Sequence, residues 1–225
     1  MVAETRLNKY IAHHTGISRR QADDLIASGR ARINQQSVSL GYRLQPGDQL
    51  TIDDQPVMPI EKSTTILLNK PVGYVCSRRR QGDTPTIYEL LPEVYHALKP
   101  VGRLDKDSSG IILLTNDGDL AHQMTHPSFH KTKIYEVALD HPLQPLHRQM
   151  ISDFGVNLDD GSSKFQLERL NEDNDHQWRI TMSEGRNRQI RRTFATLGYS
   201  VTRLHRTNFG NYSLYDLGDE KFRQL

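Results

Sequence analysis

Cysteine is almost absent. Cys76 stands alone, so no disulfide can close within the chain and no multi-cysteine zinc cluster can be built, which fits a reducing, cytoplasmic setting. No apolar run approaches the roughly 20 residues needed to span a bilayer. The opening "MVAETRLNKY" has no apolar signal core either, so neither a membrane protein nor an exported one is expected. Walker-A and G-x-G-x-x-G spacings are both missing, which leaves a nucleotide cofactor unsupported. There are no internal repeats and no low-complexity tracts. What is present is a 225-residue chain, 36% hydrophobic and 25% charged, long enough for one large domain or two unequal ones.

The net charge of +2 is too mild to identify a nucleic-acid binder, but the charges are segregated. Residues 1–43 carry seven Lys/Arg against Glu4, Asp23 and Asp24. Residues 62–82 carry Lys62, Lys70 and Arg78 to Arg80 with no acid. Residues 185–206 carry six arginines, again with no acid, while the segment from Asp153 to Asp175 holds seven acids against Lys164 and Arg169. Any one such run can be plain solvated surface. Three basic runs in distant segments point to a shared surface for a polyanion and to a separate acidic face.

The first sixty residues read as a small unit. Leu7, Tyr10 and Ile11 have helical spacing. "SRRQADDLIASG" predicts a second helix, with Ser18 and Gln21 as a capping box, Ala22, Leu25 and Ile26 on one face and Gly29 at the stop. "RARINQQSVSLGYRLQPGDQLTID" then alternates apolar positions with turn residues, as short antiparallel strands do. Arg19, Arg20, Arg30 and Arg32 flank the second helix, placed to grip a phosphate backbone. This order resembles the RNA-binding domain first described in ribosomal protein S-four, over about residues 5–53. The plainer alternative is a helical cap that packs on the rest of the chain. The boundaries expected are a domain over 1–58, a linker over 59–65 around "DDQPVMPIEKSTT", and a larger domain over 66–225.

In the larger part, "TILLNKPVGYVCS", "GIILLTND", "KIYEVALD" and "QWRITMSEG" suit strands, and "TIYELLPEVYHAL", "GDLAHQMTH", "PLHRQMISDFG" and "RNRQIRRTFATLG" suit helices. Strands and helices mix without regular alternation, so the fold class expected is α+β with a mostly antiparallel central sheet. "DKDSSG" at 105–110 imitates the start of a calcium loop, with Asp105, Asp107, Ser109 and Gly110 at positions one, three, five and six. Position twelve is Asn116 instead of the bidentate glutamate, and strand-like "IILLT" falls inside the loop, so no metal is expected there. His126 and His130 have i, i+4 spacing, but Pro127 lies between them and no companion ligand pattern is present.

Four motifs in order, "VGRLDKDSSGIILLTNDGDL", "KTKIYEV", "EGRNRQIRR" and "VTRLHRTNFG", resemble those of pseudouridine synthases of the RsuA type, which also carry the N-terminal RNA-binding domain. The resemblance implies an enzyme that isomerises uridine to pseudouridine in ribosomal RNA, without cofactor or metal. It implies Asp105 as the catalytic carboxylate, Arg191 as its guanidinium partner and Tyr135 as the residue that stacks on the base and faces the ring-carbon proton. Leu204 would wall the pocket, and Arg103 would contact the RNA or the carboxylate. Arg186, Arg188 and Arg192 are expected as phosphate contacts. Without the family match, Tyr135 and Leu204 would be read as core, and "RNRQIRR" as a solvated helix face. "HQMTHPSFHKTKIYEV" leans towards members acting on small-subunit RNA, and "EGRNRQIRR" towards those acting on the large subunit; the small subunit is slightly favoured. The partner expected is ribosomal RNA or a ribosome-assembly intermediate, and the protein is expected to be a monomer. The competing reading is a non-catalytic RNA-binding or assembly factor on the same fold.

Overall fold

The computed structural model describes residues 5–59 and 63–225. The chain divides into two compact units, Met1–Thr64 with Asn116–Gly118, and Thr65–Thr115 with Asp119–Leu225. The expected linker, 59–65, overlaps this division, and its residues 60–62 lie outside the described ones.

In the first unit α1 (Leu7–Thr15) buries Leu7 and Ile11, and α2 (Arg19–Ala27) buries Ala22 and Ile26. Ser18 caps α2 as its spacing predicts: the Gln21 N–H donates to the Ser18 hydroxyl at 3.2 Å, and the Ser18 N–H donates to the Gln21 side chain at 2.9 Å. Strands β1 (Ala31–Ile33), β2 (Gln36–Ser37), β3 (Leu50–Ile52) and β4 (Gln55–Pro56) pair antiparallel in the order β2-β1-β3-β4. Both hairpins turn on two residues of positive φ, Asn34-Gln35 and Asp53-Asp54, the turn geometry whose twist matches that of paired strands.

The second unit is built on a nine-stranded sheet. Its strands are β5 (Thr65–Lys70), β6 (Lys99–Pro100), β7 (Ser109–Thr115), β8 (Lys133–Leu139), β11 (Gln166–Arg169), β12 (Gln177–Met182), β13 (Val201–Phe209), β14 (Tyr212–Ser213) and β15 (Phe222–Gln224). The main order is β11-β12-β8-β13-β7-β5-β15; β14 pairs with β13 and β6 with β7. β9 (Val156–Leu158) and β10 (Gly161–Ser163) form a separate hairpin. Helices α3 (Gly118–Thr125), α4 (Pro145–Gln149, running into a π turn over Met150–Phe154) and α5 (Gln189–Thr196) complete it. Every pairing between these strands is antiparallel except β7 with β13, so the expected α+β class holds.

The apolar runs in β5 and β7 are continuous because both sheet faces are covered. Ile66, Leu68, Ile112 and Leu114 enter one core with Trp178 and Phe194, while Leu67, Ile111 and Leu113 enter another with Met124 and Phe209. The helix expected over "TIYELLPEVYHAL" does not form. Pro92 forces Leu91 into extended backbone and leaves two single turns, Ile87–Leu90 and Glu93–Tyr95. Among the described residues no helix is long and apolar enough to cross a membrane.

The lone parallel pairing passes through Gly110, opposite Arg206 on β13 and opposite Lys70 on β5. Gly110 has φ of +109°, and a Cβ there would lie 2.1 Å from the Arg206 carbonyl oxygen. We expect Gly110→Ala to destabilise the fold by about 3 kcal/mol or more, read as a lower denaturant midpoint.

Candidate active site

The turn between β6 and β7, the exposed end of the β8–β13 pair and the segment leading into α5 enclose a cleft of about 570 Å³ in the second unit. Arg103, Asp105, Tyr135 and Leu204 all line it, although they come from three separate motifs. The strand register explains two of them. Tyr135 on β8 sits directly opposite Arg206 on β13, so both side chains leave the same face of the sheet. Leu204, two residues back along β13, shares that face. Tyr135 and Leu204 are 8% and 7% exposed and form an aromatic and an aliphatic wall.

Asp105 lies on the turn that precedes β7, its carboxylate partly open to the cleft. The turn is held from beneath by Lys70, which ends β5 and is fully buried. The Lys70 ammonium donates to the carbonyls of Pro71 and Asp105 at 3.0 Å each and of Ser108 at 2.6 Å. The Ser108 N–H closes the turn onto the Asp105 carbonyl at 3.1 Å. Burial draws the Lys70 ammonium below its ordinary value, opposed by the charges of Cys76, Asp105 and Asp107.

The arginines around Asp105 are arranged differently from the expectation. Arg191 on α5 does not pair with Asp105. Its Nη2 donates to the Asp107 carbonyl at 2.8 Å, its Nη1 to the Val201 carbonyl at 2.7 Å, and its Nε lies 3.3 Å from the Asp107 carboxylate. The guanidinium nearest Asp105 belongs to Arg188, at 3.6 Å, and Arg188 also grips Asp107 through two hydrogen bonds of 3.0 and 2.8 Å. Arg188 has φ of +44°, uncommon outside glycine. The Arg188 hydrogen bonds, more than the charge of Arg191, hold the Asp107 carboxyl below its ordinary value. The stability Asp107 contributes is therefore full above the ordinary carboxylate range and is lost as pH falls below about 4. Asp107 thus anchors two arginines beside Asp105.

Arg186 and Arg192 are also engaged within the protein. Arg186 bonds the Asp160 carboxylate and the carbonyls of Asp160, Gly161 and Ser162, and Arg192 pairs with Asp159 and Asp160. The basic run at 185–192 and part of the acidic run at 153–175 thus interlock instead of forming separate faces. In the first unit Arg30 and Arg32 pair with Asp53 and Asp54 on the β3–β4 turn. Arg19 donates to Asn8, and Arg19, Arg20 and Arg103 remain exposed without an acidic partner among the described residues.

Sequence reasoning overlooked Lys70, Ser108, Lys133 and Arg206. The only signal was a cation closing an apolar strand, in "TILLNK", and a cation on the inward phase of "TRLHR". Lys133 donates to the carbonyls of Ser183 and Glu184, and burial, then the charge of Arg206, lowers its ordinary value. Lys70→Met would leave three carbonyls without their donor; we expect a loss of about 2–4 kcal/mol of stability in denaturant unfolding.

The family model for RNA pseudouridylate synthase matches residues 64–196, and that for the S4 domain matches residues 5–50. A ribosomal small subunit pseudouridine synthase A from Yersinia pestis is 35% identical over 98% of this chain and 94% of its own length. A ribosomal large subunit pseudouridine synthase B from Xanthomonas campestris is 36% identical over 94% of this chain, which spans 45% of that longer relative. A solved pseudouridylate synthase superimposes with a TM-score of 0.68 at 34% identity, covering 98% of this chain and 95% of the other. The chain belongs to the RNA pseudouridylate synthase family and carries an S4 domain at its N-terminal end.

Proposed function

We propose that this protein isomerises a uridine in ribosomal RNA to pseudouridine, with Asp105 as the catalytic carboxylate. The observation that carries this reading is the placement of one partly open carboxylate, Asp105, in a cleft walled by Tyr135 and Leu204. A base drawn out of its stack meets an aromatic and an aliphatic surface there, as a flipped nucleotide requires. The carboxylate acts at the sugar carbon, as nucleophile or as base, while the bond to the ring nitrogen breaks. The uracil turns and its ring carbon five bonds to the sugar as the carboxylate is released, or as it returns its proton; the freed ring nitrogen takes up a proton and the proton on carbon five is lost. Tyr135 faces that proton; its hydroxyl, with an ordinary pKa near 10, is a weak base and draws on the acidity of the intermediate. Arg188 and Asp107 hold the Asp105 turn from the side and Lys70 holds it from below, so the carboxylate keeps its orientation. Arg191 acts at one remove, as a clamp on the backbone at Asp107 and Val201.

The names of the relatives support ribosomal RNA as the substrate. We favour the small-subunit RNA, on the resemblance of residues 122–137. Residues 1–58 act as an RNA-binding domain on a catalytic domain of residues 66–225, and the protein works as a monomer in the cytoplasm. Arg19 and Arg20 are the phosphate contacts on α2 favoured by their exposure.

Asp105→Asn removes the negative charge at nearly constant shape. Incubated with unmodified ribosomal RNA and assayed for pseudouridine by mass spectrometry, it should lose at least about a thousandfold in rate. Unchanged product would refute the assignment, and RNA binding without product in the unaltered protein would favour the non-catalytic assembly factor. Removing residues 1–58 should weaken RNA binding and flatten its salt dependence, leaving the rest folded by circular dichroism. Arg20→Ala alone should lower the salt slope by about one.

A further inference from the structure

Two buried polar atoms of the cleft lack a partner among the described residues, the Ser108 hydroxyl and Nη2 of Arg206. Three other buried atoms without a hydrogen bond are explained by charge. Asp175 Oδ1 lies 2.6 Å from Arg169, Arg186 Nε 3.5 Å from Glu184, and Arg191 Nε 3.3 Å from Asp107. Ser108 and Arg206 have no such neighbour. They are 1% and 3% exposed, and both line the cleft with Asp105, Tyr135 and Leu204.

Ser108 is fixed through its backbone, which donates to the Asp105 carbonyl and accepts from Lys70. Arg206 donates from Nε to the Ile111 carbonyl at 2.9 Å, and its guanidinium carbon sits 4.5 Å from the centre of the Phe209 ring. Nη2 of the same guanidinium is left without a hydrogen-bond partner among the described residues. An unsatisfied buried donor is costly enough to need an explanation, and a ligand that completes it supplies one.

The chemistry of the missing partner is constrained. Arg206 can only donate, and Ser108 can donate or accept. The partner must present an acceptor below the level of the Tyr135 and Leu204 walls. Uracil offers two ring carbonyl oxygens with an N–H between them. Cytosine places an amine where one carbonyl stood and an acceptor where the N–H stood, so its amine would face a guanidinium donor to donor. A backbone phosphate is also an acceptor, but Arg103 is the exposed cation at this cleft that has no acidic partner among the described residues.

We propose that Ser108 and Arg206 form a polar floor that reads the carbonyl edge of the extruded base and admits uracil in preference to cytosine. This rests on the uridine-isomerase reading of the cleft. The floor would be a device for base choice, separate from the carboxylate that acts on the sugar.

The test uses the full chain and short single-stranded oligouridine and oligocytidine RNAs of equal length, followed by fluorescence anisotropy. Backbone charge is the same in both, so the ratio of affinities reads the base alone. The unaltered protein should prefer oligouridine by about tenfold. Ser108→Ala and Arg206→Lys should each remove most of that preference, read as the ratio of the oligouridine to the oligocytidine affinity. A lysine does not reproduce the guanidinium fork. Thermal unfolding of each variant is recorded, and if Arg206→Lys does not fold, Ser108→Ala decides. Absence of a uracil preference in the unaltered protein, or its persistence in the folded variants, overturns the floor. Pseudouridine formation in unmodified ribosomal RNA is measured alongside. Its absence removes the isomerase reading, whereas a preference that survives the substitutions removes only the floor.

Discussion

The buried ammonium of Lys70 is the interaction on which the second unit depends. It bonds three carbonyls, at Pro71, Asp105 and Ser108, and so ties the end of β5 to the turn that carries Asp105. A cation with no exposed surface is costly to desolvate, and here full coordination by backbone oxygens offsets that cost. The same turn opens directly into β7, the strand that joins the antiparallel halves of the sheet. A shift at Lys70 would therefore be felt in both the carboxylate and the sheet.

Gly110 supplies the second constraint, immediately after that turn. It takes a positive φ and lets the β13 backbone approach where a side chain would collide. That contact sets the parallel β7–β13 register, which sets the position of Arg206, and the β8–β13 register places Tyr135 opposite it. The wall and floor of the cleft thus follow from one backbone approach. The charges then rigidify the rim: Asp107 gathers Arg188 and Arg191, and Asp159 with Asp160 gathers Arg186 and Arg192.

This network shows why charge runs were a poor guide to which arginines pair within the protein. In linear sequence the segment 185–192 itself holds no acid, yet Asp159 and Asp160 lie about thirty residues upstream on the β9–β10 hairpin. Arg30 and Arg32 meet Asp53 and Asp54 in the same way. Pairing between distant segments is invisible to a count of neighbouring charges. Pro92, by contrast, was visible and under-weighted, and it turned a predicted helix into two single turns.

Local chemistry alone was enough for the capping box of Ser18 and Gln21, the strand runs of β5, β7, β8 and β12, and the α+β class, because these depend on residues close in the chain. The motifs around Asp105, Tyr135 and Leu204 were legible only through their resemblance to a known family; by local pattern Tyr135 and Leu204 read as core, and the fold brings all three to one cleft. Only tertiary structure decided that Arg188, not Arg191, stands nearest Asp105, that Lys70 fastens the turn, and that the Ser108 hydroxyl and Nη2 of Arg206 lack a hydrogen-bond partner among the described residues. Those outcomes depend on strand register and on burial. Both are set by contacts between residues up to a hundred positions apart, which no local pattern encodes.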